Sequence, residues 1–274
     1  MRELPRLDGR RSPPSRPLRL LAGGYSNRTL LLAGARTDYV LRLGECPPPL
    51  GVDREREYRI AVAAAQRDLG PAICFCDPGR GILVTEYVGE ALTNGVDAGQ
   101  LAALLRRIHD IPASGAALDS ASRLQEYRDL LPDGRTTAAL DNLQDLLTAC
   151  PPLIAAPGSH PVTCHNDLLT PNLRGTPTGL LAIDWEYASS GDRFYDIAVC
   201  TARWQHPAAL RLVQRYLGRV PSAAENAALA AQRLLYAGIA CCWYALHGGP
   251  RDIDQYAAEQ LQLRSAELSR ILAT

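Results

Sequence analysis

The sequence predicts an α+β protein in two lobes: a small antiparallel sheet carrying one helix, then a larger, mainly helical part. Three observations carry this prediction. At 274 residues the chain exceeds the usual size of one compact core, so two cores are expected. Up to about residue 89, short β-type segments alternate with Gly- and Pro-containing turns. Beyond it, apolar residues recur at helical spacing.

Residues 1–17 repeat Arg and Pro without hydrophobic periodicity and read as a flexible arm. Strands are expected at Leu18–Ala22, Thr29–Ala33 and Tyr39–Leu43, joined by turns at Gly23-Gly24 and Gly34–Thr37. After the break at Pro47-Pro48-Pro49, Asp53 to Leu69 reads as a helix with charged first turns and apolar Ile60, Ala61 and Ala64, stopped by Gly70-Pro71. Ala72–Cys76 and Ile82–Tyr87 are two further strands around the turn Asp77-Pro78-Gly79. These elements make an amino-terminal lobe over residues 18–89.

Residues 90–274 form the second lobe. Its expected helices are Ala98–His109, Ala121–Leu131, Thr137–Thr148, Pro207–Leu217, Ala223–Leu246 and Ile253–Leu272. Short β-type segments at Val162–Cys164, Leu173 and Leu180–Ile183 interrupt them, joined by polar turns of the kind that hold functional residues.

Composition narrows the function. The chain is 47% hydrophobic and 21% charged with zero formal net charge, so no electrostatic footprint for nucleic acid or anionic membrane exists. A small-molecule partner is expected instead. No secretory pattern opens the chain, and the longest apolar run, Leu234 to Leu246, is too short to span a bilayer; no membrane insertion and a cytoplasmic location are expected. The eight cysteines include no C-x-x-C pair and read as small buried hydrophobes. All 29 basic residues are arginine. A Walker A lysine and a pyridoxal Schiff base are both excluded, and any phosphate clamp must use Arg, backbone N–H groups and metal.

The chemistry concentrates in one segment. His165-Asn166-Asp167-Leu168-Leu169-Thr170-Pro171-Asn172 has the spacing of the protein-kinase loop H-R-D-L-x-x-x-N. Ile183-Asp184-Trp185-Glu186 follows at the end of a β-type segment, where that pattern places its D-F-G aspartate. Phosphoryl transfer needs a carboxylate in reach of the acceptor hydroxyl, plus a carboxylate and an amide oxygen to hold Mg²⁺ against the phosphates. Asp167 fills the first role; Asp184 and Asn172 fill the other two.

Asp184-Trp185-Glu186-Tyr187-Ala188, followed by Gly191-Asp192 and Asp196-Ile197-Ala198, resembles the choline kinase, ethanolamine kinase, thiamine kinase and aminoglycoside phosphotransferase group. The choline and thiamine branch is the most similar. The resemblance implies a bilobal protein-kinase-like fold, ATP as co-substrate and Mg²⁺ as cofactor. It also implies that His165 braces the catalytic loop by hydrogen bonding, while Gly23-Gly24-Tyr25-Ser26-Asn27 resembles the glycine-rich phosphate loop, with Gly24, Ser26 and Asn27 at the nucleotide.

Arg42 in Tyr39-Val40-Leu41-Arg42 stands where protein kinases place Lys, as in choline kinases. Its expected partner is Glu57, which shares the helix face of Ile60, Ala61 and Ala64; Glu55 is the alternative. Glu86 to Val88 matches the hinge that would hold adenine. Trp185, Tyr187, Trp204, Trp243 and Tyr244 are aromatic candidates for a cationic acceptor, with Glu186 beside them. Choline kinases bring W-x-x-W-x-x-x-Q to the choline pocket; Trp243 and His247 fit its second half, and Ala240 replaces the first Trp. Asp192 is expected to order its turn, Asp196 to cap a helix, and His109 to be a packing residue.

The expected activity is transfer of the ATP γ-phosphoryl group to a hydroxyl of a small, cationic alcohol, choline or ethanolamine. Thiamine is the alternative, then an aminoglycoside or sugar. A nucleotide-binding pseudokinase and a metal-dependent hydrolase are the rival classes. Intact Asp167, Asn172 and Asp184 oppose the former; five unclustered histidines oppose the latter.

Overall fold

A computed structural model describes residues 19–21, 27–34, 36–92, 95–113, 115–132, 143, 160–247 and 253–273. The arm, Gly24, Ser26 and the helix expected at 137–148 (apart from Leu143) lie outside the described residues. Contacts divide the chain into two compact units, one taking residues up to Gly95 with Thr170–Ala188, the other Val96–Leu169 with Ser189 onward.

The first unit holds a five-stranded antiparallel sheet in the order β1-β2-β3-β5-β4, built from β1 (Arg19–Leu20), β2 (Asn27–Leu32), β3 (Tyr39–Gly44), β4 (Ile73–Asp77) and β5 (Ile82–Glu86). The central strand β3 pairs Arg42 with Thr29 of β2 and with Leu83 of β5. α1 (Arg54–Ala65) starts at Asp53, whose carboxylate accepts from the N–H groups of Glu55 and Arg56 at 3.1 and 3.0 Å. The helix ends four residues before the expected Leu69. Asp68 adopts the left-handed conformation at φ 54°, and the Leu69 N–H closes back on the Ala64 carbonyl at 3.0 Å, a stop that needs no glycine because Asp tolerates that region.

Thr170–Ala188 belongs to this unit through its hairpin, β7 (Leu173–Thr176) against β8 (Gly179–Ala182). The Ala182 N–H donates to the Leu69 carbonyl at 2.8 Å. Arg174 Nε donates to the Gly89 carbonyl, also at 2.8 Å.

The second unit is mostly helical: α2 (Ala98–His109), α3 (Ser120–Asp129), α4 (Arg193–Cys200), α5 (His206–Leu217), α6 (Ala223–His247) and α7 (Ile253–Leu272). Leu101, Leu104, Leu105 and Ile108 form the buried stripe of α2 at the i, i+3, i+4, i+7 spacing of an amphipathic helix. Each such side chain contributes about 2 kcal/mol on burial. A two-stranded ladder joins β6 (Val162–Cys164) to β9 (Ser189–Gly191); β9, a Ser-Ser-Gly segment, carries no strand pattern and was invisible to periodicity.

As a helix, α6 extends beyond the apolar run seen in the sequence to 25 residues, long and apolar enough to cross a membrane, yet 67% of its most apolar window is buried inside the unit. It is the central packing helix there. Cys164, Cys241 and Cys242 are buried as expected, whereas Cys74, Cys76 and Cys200 are half-buried and Cys46, before Pro47 and Pro48 at the surface, is exposed.

Candidate functional site

In the first unit the sequence-expected groups converge on Arg42. Its guanidinium ion-pairs with Glu57 and, through the other terminal nitrogen, with Asp184 at 2.8 Å. Glu55 is exposed, so the helix partner is Glu57. The α1 face explains this: Arg54, Glu57, Ile60, Ala61 and Ala64 are all buried, and the first two extend the apolar stripe as charges that need partners.

Arg54 supplies them, donating to Glu57 at 3.1 Å and to Glu186 at 3.0 Å. Asn27 closes the ring, its amide nitrogen donating to Glu186 at 2.9 Å and its oxygen accepting from Arg54 at 3.2 Å. Burial works against the Arg42 charge, but Asp184 and then Glu57 outweigh it and hold its pKa above the ordinary arginine value.

The hairpin fixes the two expected metal ligands. Leu173 pairs with Ala182, and one step beyond, the Ile183 N–H donates to the Asn172 carbonyl at 2.9 Å. Asn172 and Asp184 therefore leave the same end of one antiparallel pair, which is the structural meaning of their 12-residue spacing. Asp184 sits at φ 64°, a sparsely populated conformation of the kind found at working sites. Its side chain keeps 33% exposure while Arg42 beside it keeps 9%. Glu86 ends β5 at the surface, followed by half-buried Val88.

Three of the expected acceptor residues, Trp185, Glu186 and Tyr187, lie within this unit. Trp185 is buried, its indole N–H donating to the Ala182 carbonyl at 3.2 Å, and Glu186 is held by Arg54 and Asn27 as above. Tyr187 is half-buried next to them in sequence.

In the second unit the loop that begins at His165 is held from behind by Asp196. Its carboxylate accepts from the backbone N–H of His165 at 3.0 Å and of Asn166 at 2.8 Å. His109 Nε2 lies 3.2 Å from the same carboxylate and its Nδ1 2.8 Å from the Tyr216 hydroxyl. Burial alone would raise the Asp196 pKa, but the bond and charge of His109 hold it below the ordinary value. The helix cap is Asp192, which accepts from the Phe194 N–H at 2.7 Å. Asp196 thus braces the loop, where the sequence suggested a cap, and His109 supports Asp196. An ionisable residue inside the apolar run Phe194-Tyr195-Asp196-Ile197-Ala198-Val199 was the available signal.

His165 is fully buried. Its Nδ1 accepts from the Asp167 backbone N–H at 3.3 Å, and Asn166, at φ 63°, donates its amide to Ser189 at 2.7 Å. These contacts leave Asp167 half-buried. His109, Cys164 and Asp196 bring ligand-type atoms within 4.8 Å of one another. The Asp196 oxygens are nevertheless engaged by three N–H groups, and burial pushes the Cys164 thiol well above its ordinary pKa, so the cluster serves as a brace.

The same unit contains an open pocket lined by Leu169, Tyr236, Ala240, Tyr244, Gln260 and Arg264 among others. Leu169 comes from the loop that begins at His165, its N–H donating to the Asp167 carbonyl at 2.8 Å. Of the expected acceptor aromatics, Tyr244 lines this pocket. Trp243 stacks on His247 with ring centroids 4.6 Å apart, and the Trp204 carbonyl accepts from Arg233 at 2.6 Å. Tyr236 and Gln260 were missed, because only helix packing shows which side of α6 and α7 borders the cavity.

Residues 17–229 match the model of the phosphotransferase enzyme family, APH. Thiamine kinases of Salmonella heidelberg and Salmonella typhimurium are 31% identical over 190 residues, covering 68% of this chain and 66% of theirs. The chain thus spans just under two thirds of the length of these curated relatives. Among solved structures, a choline/ethanolamine kinase family protein from Mesorhizobium loti is 21% identical with a TM-score of 0.76, covering 95% of this chain and 92% of that one. A choline kinase from Streptococcus pneumoniae is 20% identical with a TM-score of 0.75, over 93% and 94%. The fold is protein-kinase-like, and the chain belongs to the phosphotransferase enzyme family.

Proposed function

We propose that the protein transfers the γ-phosphoryl group of ATP to a hydroxyl of a small-molecule alcohol, with Mg²⁺ as cofactor. The observation that carries this reading is the Arg42 network, in which one arginine joins Glu57 of α1 to Asp184 of the hairpin. A phosphate clamp and a metal carboxylate are thereby set side by side, as phosphoryl transfer requires.

The residues fit a hard divalent cation. Arg42 and Arg54 face Glu57, Asp184 and Glu186, leaving one carboxylate charge in excess, and Asn172 adds an amide oxygen from the same hairpin end. Asp184 and Asn172 would hold Mg²⁺ through oxygen, which neutralises charge on the phosphates when bound. Arg42 binds phosphate oxygens, and Asn27, beside the glycine-rich segment, positions Arg54 and Glu186. Asp167 accepts the acceptor's hydroxyl proton as the new O–P bond forms and the bond to the departing ADP oxygen breaks.

Thiamine is the first acceptor to assay, given the 31% identity to thiamine kinases. Choline and ethanolamine come second, on the sequence resemblance. ADP release in the presence of each acceptor tests the reading. Asp167→Asn should lower kcat by about 10²–10⁴-fold while Mg-ATP still binds; unchanged turnover would exclude Asp167 as the base.

A further inference from the structure

The pocket beside the catalytic loop is lined by three arginines, Arg203, Arg233 and Arg264. Arg233 is engaged in full view of its neighbours. It donates to Glu267 at 3.1 Å, to the Thr201 carbonyl and hydroxyl at 2.8 and 2.9 Å, and to the Trp204 carbonyl at 2.6 Å. Arg264, 5% exposed, donates once from each terminal nitrogen, to Glu267 and to the Ala202 carbonyl at 2.8 and 2.7 Å. Its Nε–H and a second hydrogen on each terminal nitrogen have no partner among the described residues. Arg203 is exposed and likewise has none.

Among the described residues the charge balance around this wall is positive. Glu267 serves Arg233, Arg264 and, at 2.7 Å, His206, so one guanidinium is uncompensated before Arg203 is counted. Burial and then the charge of Arg264 depress Arg233 to about 10, against the pull of Glu267, as expected where cations outnumber carboxylates. Among the described lining residues there is no Asp or Glu; Tyr236, Tyr244 and Gln260 add groups able to donate hydrogen bonds. Ala240 lines the wall where a second aromatic face would be needed to enclose a quaternary ammonium.

We propose that this pocket takes an acceptor alcohol bearing an anionic group, a carboxylate or a phosphate, which Arg264 and Arg203 bind. The proposal rests on the phosphotransferase reading above. Guanidinium forks match both oxyanions bidentately, and holding that group places the acceptor's hydroxyl end toward Leu169 and the Asp167 loop. Choline, ethanolamine and thiamine, which carry positive charge and no anion, are then the poorer ligands.

The test is calorimetric titration of the full chain, with Mg²⁺ and a non-hydrolysable ATP analogue present, using 4-hydroxybutyrate, glycerol 3-phosphate, 1,4-butanediol, choline and thiamine. At least one anion should bind ten-fold or more tightly than the neutral diol and both cations, and the stronger anion identifies the oxyanion. Arg264→Gln should remove that preference. Arg203→Ala, at a surface position, should weaken the anion three-fold or more without loss of fold. Choline or thiamine binding as tightly as the stronger anion, no binding of either anion, or unchanged affinity for the stronger anion in Arg203→Ala and Arg264→Gln overturns the proposal. ADP release separates the two readings. Preferred turnover of choline or thiamine keeps phosphoryl transfer and overturns the anion pocket, whereas a tightly bound anion that releases no ADP keeps the pocket and counts against phosphoryl transfer.

Discussion

Gly44, at the end of β3, shows how one residue without a side chain protects a charged network. A Cβ there would collide with the Arg54 guanidinium and lie 3.1 Å from Asn27 Oδ1. Arg54 could yield only by leaving Glu57 or Glu186, two carboxylates with 3% and 5% side-chain exposure. A buried carboxylate that loses its partner is costly. Gly44→Ala is therefore expected to destabilise the protein by about 1–3 kcal/mol and to raise the KM for ATP several-fold, measured by urea unfolding and by ADP release. Wild-type values for both would show that Arg54 is free to move. Arg42 and Glu57 were legible in the sequence from strand position and helix face. Arg54, His109 and Asp196 were not recognised in their roles, because a buried charge is identified by its partners, and these come from distant parts of the chain.

Between elements, Glu267 is the point at which α6 and α7 are tied together. It accepts from Arg233 on α6 and Arg264 on α7, and His206 Nδ1 at the start of α5 lies 2.7 Å away. Burial opposes its charge, but the bond from His206 and the charge of Arg233 hold its pKa at about 2, below the ordinary 4.5. A carboxylate depressed in the folded state contributes stability that is complete above its unfolded value and is lost as pH falls through the folded one. The stability of the wild-type protein should therefore drop between about pH 5 and pH 2. Glu267→Gln should cost about 3 kcal/mol near neutral pH and flatten that part of the profile; denaturant midpoints across the range would check both. The helices α2, α5, α6 and α7 were read from periodicity to within a residue or so at each end. α4 was expected only as a helix capped by Asp196, and β9 not at all, since an eight-residue helix and a Ser-Ser-Gly strand hold too few repeats for a pattern.

For the whole molecule, ligand binding to the folded state alone must raise its stability. At a hundred-fold excess of Mg-ATP over its dissociation constant the gain is about 2.7 kcal/mol, which for a chain of this size corresponds to roughly 5 °C or more in Tm. Asp184→Asn or chelation of the metal should remove most of that shift, read by thermal denaturation; a shift that survives both would mean that the nucleotide is held without Mg²⁺. The sequence by itself determined the α+β class, the kinase-like spacing of His165 to Asp184 and the absence of lysine chemistry, because these depend on local spacing and composition. Only the tertiary structure decided that Glu57 rather than Glu55 pairs with Arg42, that Asp196 braces the loop instead of capping a helix, and that arginines line the pocket beside Leu169. Each of those depends on which distant side chains share a buried, low-dielectric space, where an unpaired charge is too costly to leave.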